Sequence, residues 1–321
     1  MLILVLNFNG KHHLQACFQS LREQTRQDFE VILIDNASTD GSLEFMRQGF
    51  PEVRLLQMPA NLGFCRAYNI ALRQADAKWV FLLNNDTCLD KRCIERLWQA
   101  IENRPEVSVF APKMVSFDHP DRIDCAGLGF SKYGVSFDRG LAQSSNDPAY
   151  TKDRLVFGGC GGAVVYRCSI LNDVGLFDND FEAYAEDVDL AFRMQLAGYI
   201  CLYVSGAIVR HKRRATSHAR PDWVVYMTHR NMEYVLIKNM PTKLLRHCLP
   251  LHIAYVAVSM AKWSLRGYAR ATVRAKISVW RAWATLQRKR AEIQRQRRVS
   301  SDYIQSLFEP IDIGERLRPP E

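Results

Sequence analysis

VFLLNNDTCLD, residues 80–90, is the stretch that decides the fold. Its four apolar residues, 80–83, predict a buried strand, and Asn84, Asn85 and Asp86 follow where that strand ends. In open α/β sheets ligands bind outside the carboxyl ends of the strands, so this tip is suited to a polar ligand or a hard cation. Asn and Asp also favour plain turns, so the tip alone leaves both interpretations open.

Three earlier apolar segments repeat the pattern, at residues 2–6, 29–34 and 53–58. Each is followed by polar residues and then by apolar positions at helical spacing. Four strands alternating with helices predict an α/β fold with a doubly wound, mostly parallel sheet flanked by helices. Neither GxGxxG nor GxxxxGK[ST] occurs, which argues against a dinucleotide fold and a P-loop.

A second polar cluster lies downstream, where six carboxylates fall between Asp178 and Asp189. A helix is predicted to begin near Glu186 and Asp187, and its dipole favours acids in the first turn. A carboxylate at such a helix start, facing the glycine-rich segment 158–162, is also a candidate general base. The strands predicted at 200–204 and 207–209 then lead to His211. The segment 112–153 shows no regular pattern and is expected to be a loop.

Charge divides the chain in two, although the whole protein of 321 residues carries a net charge of +9. Residues 243–298 contain 14 Lys and Arg and one acid, whereas the remainder has 29 basic and 33 acidic residues. This division predicts a slightly acidic body and a basic attachment segment. The nine cysteines form no CxxC pair, so we expect neither a disulfide framework nor a structural zinc site, and a reducing, cytoplasmic setting.

The basic segment has the pattern of membrane-surface helices. Residues 247–261 lack charged side chains, but at 15 residues the run is shorter than the ~20 that a spanning helix needs. From Trp263 to Leu286 aromatic and apolar residues alternate with Arg and Lys, which predicts a helix lying on an anionic membrane. A helical cap on the catalytic domain and a nucleic-acid arm are the alternatives, the latter disfavoured. Residues 288–298 are expected to be too charged to pack.

Seven short motifs, taken together, resemble family 2 glycosyltransferases of the GT-A fold, in the rhamnosyltransferase-like branch of bacterial surface polysaccharide synthesis. They keep the order and spacing of that family over roughly two thirds of the chain. The motifs are LNFNG (6–10), VILIDNASTDGS (31–42), NLGF (61–64), LLNNDT (82–87), GLFD (175–178), YAEDVDLAFR (184–193) and VRH (209–211).

The resemblance implies an inverting, metal-dependent transfer of rhamnose or a similar hexose from a dTDP- or UDP-sugar to a saccharide hydroxyl, the acceptor being lipid-linked. It makes Asp187 the catalytic base, and it places a Mg²⁺ or Mn²⁺ ion on Asp86 and His211. In the family this position carries a DxD-type metal-binding motif with two carboxylates. Here the motif is Asn84-Asn85-Asp86, so only one carboxylate remains. The donor would be bound by Phe8, Asn9, Asp35, Asn36, Asn61, Gly63, Arg66, Asn84 and Asn85. Four further residues are expected to lie on the acceptor side of the site or to support its catalytic residues: Gly161, Gly162, Asp178 and Glu186.

The expected organisation is a transferase domain at 1–225 and a basic helical region at 226–321, with the protein peripheral on the inner face of the cell membrane. No nucleic-acid partner is expected. Two other functions stay open: a nucleotide-sugar-binding scaffold without activity, and a nucleotidyltransferase of related fold. A nucleotidyltransferase would normally have a glycine- and Arg/Lys-rich signature after the first strand, and this sequence lacks one. A glycosidase would leave the nucleotide-site residues without a role.

Overall fold

The computed structural model describes residues 1–212 and 221–311. Its strands are β1 (Leu2–Asn7), β2 (Glu30–Asp35), β3 (Arg54–Gln57), β4 (Trp79–Asn84), β5 (Thr87–Leu89), β6 (Val109–Ser116), β7 (Ile123–Cys125), β8 (Leu128–Phe130), β9 (Ser136–Asp138), β10 (Arg154–Val156), β11 (Ala163–Arg167) and β12 (Cys201–His211). Its helices are α1 (Lys11–Arg22), α2 (Ser42–Gly49), α3 (Gly63–Arg73), α4 (Cys93–Asn103), α5 (Cys168–Val174), α6 (Glu186–Leu196), α7 (Pro221–Asn239), α8 (Thr242–Leu265), α9 (Ala269–Arg281), α10 (Trp283–Gln296) and α11 (Ser301–Ser306).

Ten strands form one mostly parallel sheet, as predicted. The order β3-β2-β1-β4 is parallel throughout, so the carboxyl ends of these four strands meet at one edge. The side chains of residues 3–5 and 80–83 are fully buried. Strands covered by helices on both faces read as continuous apolar runs, which is why the sequence pattern identified them.

Beyond β4 the sheet changes direction, because β11 inserts antiparallel between β4 and β6. Ala163 pairs with Leu83, so the beginning of β11 lies beside the end of β4. On the far side of β6, β12 runs parallel to it and then pairs with β5, placing His211 opposite Thr87. The two strand reversals therefore bring the segment before β11 and the end of β12 to the tip of β4.

The prediction of a loop at 112–153 is wrong for the first part of that segment, since β6 passes through Pro112 and three short strands follow. The two strands expected at 200–204 and 207–209 are one strand, β12, with a register shift between Val204 and Ile208. Val204 pairs with Pro112 directly before that shift. Proline has no N–H for the ladder, so a bulge in the partner strand accommodates it inside the sheet.

The chain divides into two compact units. Among described residues, the first comprises 1–128, 138–194 and 199–212, and the second comprises 129–137, 195–198 and 221–311. The first unit contains the ten-stranded sheet and every residue that the sequence assigned to the site. The second contains α7 to α11. The functional division at residue 225 remains a prediction.

Within the second unit, a half-buried acid ties three helices together. Glu233 of α7 accepts from Nε2 of His252 in α8 at 3.1 Å and pairs with Lys276 of α9. Burial alone would raise the pKa of Glu233, but these two partners outweigh it and lower that pKa to about 2. The carboxylate is therefore ionised at neutral pH and holds both partners.

The apolar run at 247–261 lies inside the longer helix α8, which has 24 residues and a mean hydropathy of 1.3 over its most apolar window. Among described residues it is the one helix long and apolar enough to cross a membrane, and 17% of that window is buried. Length and composition of a single helix are weak evidence for a span. The expected single basic helix at 263–286 is instead divided among the end of α8, the whole of α9 and the start of α10, with breaks after Leu265 and at Ala282.

The expectation that residues 288–298 are too charged to pack is wrong for Arg290. Its guanidinium donates to the backbone carbonyls of Ile237 and Met240, both at 2.7 Å. The last carbonyls of a helix have no intrahelical donor, and Arg290 supplies one at the end of α7. A charged residue can therefore pack where a helix end needs its hydrogen-bond donors.

Candidate active site

The tips of β1, β2 and β4 are joined by the side chain of Asn7, which is fully buried. Its Nδ2 donates to Oδ1 of Asp35 at 3.1 Å and to Oγ of Ser38 at 3.0 Å. Its Oδ1 accepts from Nδ2 of Asn85 at 2.6 Å. The second oxygen of Asp35 accepts from the backbone N–H of Ser38 at 3.0 Å. The carboxylate of Asp35 and the amide of Asn85 are thus fixed by internal partners.

The other residues that the sequence assigned to binding of the sugar donor lie around this hydrogen-bond network. Phe8 is 40% exposed at the tip of β1, and the Oδ1 of Asn9 accepts from the backbone N–H of Thr39 at 2.8 Å. Asn36 is buried and donates to Oδ1 of Asn61 at 2.9 Å. Gly63 begins α3, and Arg66 stands exposed one turn later. The residues expected to bind the sugar donor therefore lie together at one edge of the sheet of the first unit.

Asp86 and His211 meet as expected, and a second carboxylate joins them. Nε2 of His211 lies 3.4 Å from Oδ1 of Asp86, and its Nδ1 lies 2.6 Å from Oδ2 of Asp124. Burial on its own would lower the pKa of His211, but the hydrogen bond with Asp124 and the charges of Asp86 and Asp124 outweigh it and raise that pKa to about 10. This cluster therefore favours positive charge between two acids.

A divalent cation fits the chemistry at this point. Oδ1 of Asp86 is buried and makes no hydrogen bond among the described residues. A buried carboxylate oxygen without a hydrogen-bond donor is costly unless a cation satisfies it. Carboxylate oxygen and imidazole nitrogen suit Mn²⁺, and carboxylate with water suits Mg²⁺. Asp124 would then orient His211, as carboxylates commonly orient metal-binding histidines.

Asp187 is held against the glycine-rich loop. Its Oδ2 accepts from the backbone N–H of Gly161 at 2.7 Å, and its Oδ1 accepts from its neighbour Val188 at 2.8 Å. The carbonyl of Gly162 accepts from the backbone N–H of Asn84 at 2.9 Å. Two consecutive glycines thus connect the acid at the start of α6 to the tip of β4.

The paired acids at the start of α6 have different environments. Burial raises the pKa of Asp187 to about 6, although the N–H groups of Gly161 and Val188 oppose the shift. Burial and the charge of Asp187 raise the pKa of Glu186 well above its usual range. One oxygen of Glu186 is buried and has no hydrogen-bond partner in the part of the chain that the structure describes. The pair therefore holds one ionised carboxylate, and Asp187 has the lower pKa.

The segment leading into α6 is strained. Glu182, Tyr184 and Ala185 all have φ between 61° and 67°, in the left-handed region that non-glycine residues seldom adopt. The backbone carbonyl of Glu182 accepts from the N–H of Cys65 at 3.3 Å, which ties the segment to α3. Strain of this kind persists where surrounding contacts enforce it and is typical of functional segments. Asp178, expected in support, caps a 3₁₀ turn by accepting from the N–H of Asp180 at 3.1 Å.

Sequence reasoning missed Asn7, Ser38 and Asp124. Asn7 could have been found from the sequence, since it is the polar residue that ends the first apolar run. Asp124 had none, because it lies 87 residues before His211 in a segment without a regular pattern.

Comparison with known proteins identifies the family. Residues 2–175 match the model of "Glycosyl transferase family 2", which is more than half of the chain. The chain belongs to glycosyltransferase family 2. This places the β1, β2 and β4 tips and the glycine-rich loop inside the matched region, so the enzyme is a glycosyltransferase.

Relatives and solved structures agree with that assignment. An N-acetylglucosaminyl-diphospho-decaprenol L-rhamnosyltransferase of Mycobacterium tuberculosis is 28% identical over 73% of this chain and 83% of its own length. The O-antigen chain rhamnosyltransferase WbaN of Salmonella anatum is 26% identical over 67% and 66%. The mannosyltransferase PcManGT of Pyrobaculum calidifontis, solved with GDP-Man and Mn²⁺, superposes with a TM-score of 0.54 at 17% identity, covering 92% and 85%. The family 2, rhamnosyltransferase-like resemblance and the GT-A fold are confirmed.

A side chain at Gly10 should disrupt the Asn7 network. A Cβ there would lie 2.1 Å from Nδ2 of Asn85 and 2.7 Å from Oδ1 of Asn7, the two atoms that hydrogen bond to each other. We expect Gly10→Ala to lower the free energy of unfolding by about 1–3 kcal/mol, measured by urea denaturation. Gly49→Ala is the control, because a Cβ there meets no atom within 4 Å. Equal stabilities of the two variants would show that the network yields without cost.

Proposed function

We propose that this enzyme transfers a hexose, rhamnose or a close analogue, with inversion from a dTDP- or UDP-sugar to a hydroxyl of a lipid-linked saccharide acceptor. The hydrogen bond from Gly161 to Asp187 carries the proposal, because the same loop is bonded to the tip of β4. The names of two relatives support rhamnose, one of them specifying a decaprenol-diphosphate-linked sugar. The product would be a cell-surface polysaccharide or its precursor.

In the proposed reaction, Asp187 accepts the proton of the acceptor hydroxyl as that oxygen attacks the anomeric carbon. The bond from that carbon to the diphosphate oxygen breaks, and the nucleoside diphosphate leaves with the electron pair. A single displacement of this kind inverts the configuration. Arg66 supplies positive charge for the diphosphate from the start of α3. Mg²⁺ or Mn²⁺, held by Asp86 and His211, would stabilise the negative charge that develops on the leaving group.

Phe8, Asp35 and Asn36 are proposed to bind the nucleoside, with Asn9, Asn61, Gly63, Asn84 and Asn85 shaping that pocket. Gly161, Gly162, Glu186 and Asp178 are proposed to support the acceptor side. A cation site is supported by the PcManGT structure, which was solved in complex with GDP-Man and Mn²⁺. Among the alternatives, a scaffold without activity would leave the raised pKa of Asp187 without a use.

Basic and apolar residues of the second unit support a peripheral position on an anionic membrane, on the cytoplasmic side. Val273, Ile277 and Trp280 of α9 are spaced for one face and are exposed by 49%, 44% and 78%. The opposite face, which includes Ala275 and Val279, is buried. An exposed apolar stripe among arginines is the pattern of helices that lie in the membrane interface. Residues 226–321 would form this attachment region, and residues 1–225 would form the transferase.

Replacing Asp187 by Asn should abolish transfer while leaving donor binding intact. Removing a general base typically lowers the rate by about 10²–10⁴-fold, and Asn preserves the shape of the side chain. The measurement is release of nucleoside diphosphate from dTDP- and UDP-sugars in the presence of a lipid-linked acceptor. Asp173→Asn is the control, an exposed acid that accepts from the hydroxyl of Tyr199 at 2.8 Å. Turnover by Asp187→Asn within a few-fold of the parent would exclude the assigned base.

The pH profile should carry the signature of the buried base. Asp187 accepts a proton only when ionised, so kcat/KM should fall as the pH decreases through its pKa of about 6. An exposed aspartate, with a pKa near ~3.9, would place that decline about two pH units lower. Initial rates between about pH 4 and about pH 8 at low donor concentration measure it. A decline centred near ~4 would contradict the burial of the base.

Replacing Asp124 by Asn should weaken Mn²⁺ binding, because His211 would lose the carboxylate that orients it. The loss of a partner of this type lowers metal affinity by about 10–100-fold. The thermal midpoint is measured as Mn²⁺ is titrated in the presence of dTDP or UDP, since a ligand that binds the native state stabilises it. Asp121→Asn, at a neighbouring exposed acid, is the control. Equal Mn²⁺ affinities for both variants would count against the assigned role.

The double change Trp280→Ala and Trp283→Ala should reduce binding to anionic vesicles by at least about 10-fold, because the two exposed indoles would otherwise be buried in the interface. Co-sedimentation with phosphatidylglycerol vesicles measures it, and Leu155→Ala, at an exposed apolar residue of the first unit, is the control. An alkaline carbonate wash should release the protein from native membranes. Retention after that wash would show instead that α8 spans the membrane.

A further inference from the structure

Three potential metal ligands converge in the first unit, outside the Asp86 cluster. The thiol sulfurs of Cys125 and Cys160 and a carboxylate oxygen of Asp138 all lie within 4.8 Å of one another. They come from β7, from the glycine-rich loop and from the end of β9. Cys125 is buried, whereas Asp138 and Cys160 are half-buried, so the cluster has a path to solvent.

Backbone hydrogen bonds hold the three segments in register. The N–H of Ala126 donates to the carbonyl of Arg139 at 2.8 Å, which fixes β7 beside the end of β9. The N–H of Leu128 donates to the carbonyl of Gly158 at 2.8 Å, which fixes the glycine-rich loop. Each ligand is adjacent or nearly adjacent in sequence to one of these bonds. The arrangement is therefore preorganised by the fold rather than assembled by surface side chains.

The ligand types select a class of cation. Zn²⁺ accepts both thiolate and carboxylate ligands, and three protein ligands leave one of its four positions open. Mg²⁺ prefers oxygen ligands, as Asp86 offers, and does not compete well for sulfur. The two clusters of this unit thus differ in the cations that they favour.

We propose that Cys125, Asp138 and Cys160 bind one thiophilic divalent cation of the Zn²⁺ class, separate from the cation expected at Asp86 and His211. Cys160 precedes Gly161, whose N–H holds Asp187. A cation at this site would connect the loop that positions Asp187 to β7 and β9, and so restrain it. The sequence argued against a structural zinc site because it contains no CxxC pair, but that argument addresses only ligands that are close along the chain.

The test is a titration of the full-length, tag-free, reduced protein with Co²⁺ in excess Mg²⁺. Thiolate ligands produce a charge-transfer absorption that carboxylate and imidazole ligands do not, so the band distinguishes cysteine ligation from binding at Asp86 and His211. We expect the band to saturate at one Co²⁺ per chain, Zn²⁺ to displace it, and Zn²⁺ to raise the thermal midpoint.

Variants assign the ligands. Cys160→Ser should weaken Co²⁺ binding by at least about 10-fold and diminish the band, as should Cys125→Ser. Asp138→Asn should weaken binding but keep the band. Cys168→Ser is the matched control, a half-buried cysteine at the start of α5, and Asp86→Asn should also keep the band.

Absence of the band at one equivalent would overturn the proposal, as would a band that Cys125→Ser and Cys160→Ser leave unchanged. A disulfide between Cys125 and Cys160 in the reduced preparation, detected by mass spectrometry, would also overturn it. Because Cys125 is buried and its replacement could impair folding, Cys160→Ser, at a half-buried position, decides the matter. None of these readouts depends on sugar transfer, so the result is independent of the proposed function.

Discussion

The hydrogen bond between the N–H of Asn84 and the carbonyl of Gly162 is the contact on which the site depends. It continues the antiparallel pairing of β11 with β4, in which Ala163 lies opposite Leu83. A parallel neighbour would have placed its amino-terminal end at the opposite edge of the sheet. Because β11 is reversed, the glycine-rich loop that precedes it meets the tip of β4, and the acid of α6 comes with it.

Negative charge is concentrated at this edge, and the protein compensates it in two ways. Backbone N–H groups and amides satisfy Asp35 and Asp187. His211 shares its ring between Asp86 and Asp124. One buried oxygen of Asp86 makes no hydrogen bond among the described residues, and the donor proposed above carries a diphosphate that must itself be neutralised. A cation at this point would satisfy both requirements.

Prediction from sequence succeeded where a signal is local. Apolar runs identified β1, β2 and β4 because strands buried on both faces cannot tolerate polar residues. It failed at Pro112, where a proline inside a strand reads as a loop until the bulge opposite it in β12 is known. It failed also at Arg290, because a charged side chain that satisfies helix-end carbonyls resembles one that is only solvated.

The sequence by itself determined the strands β1 to β4 of the first unit, their polar tips and the residues that carry the family's motifs, since each of these is encoded in a short continuous stretch. The tertiary structure decided which of those residues meet. Asp124 reaches His211 across 87 residues, Asn85 reaches Asn7 across 78, and the ligands Cys125, Asp138 and Cys160 converge from three segments. Such contacts depend on strand order and register, which are set by the packing of the whole sheet and leave no periodic trace in the chain.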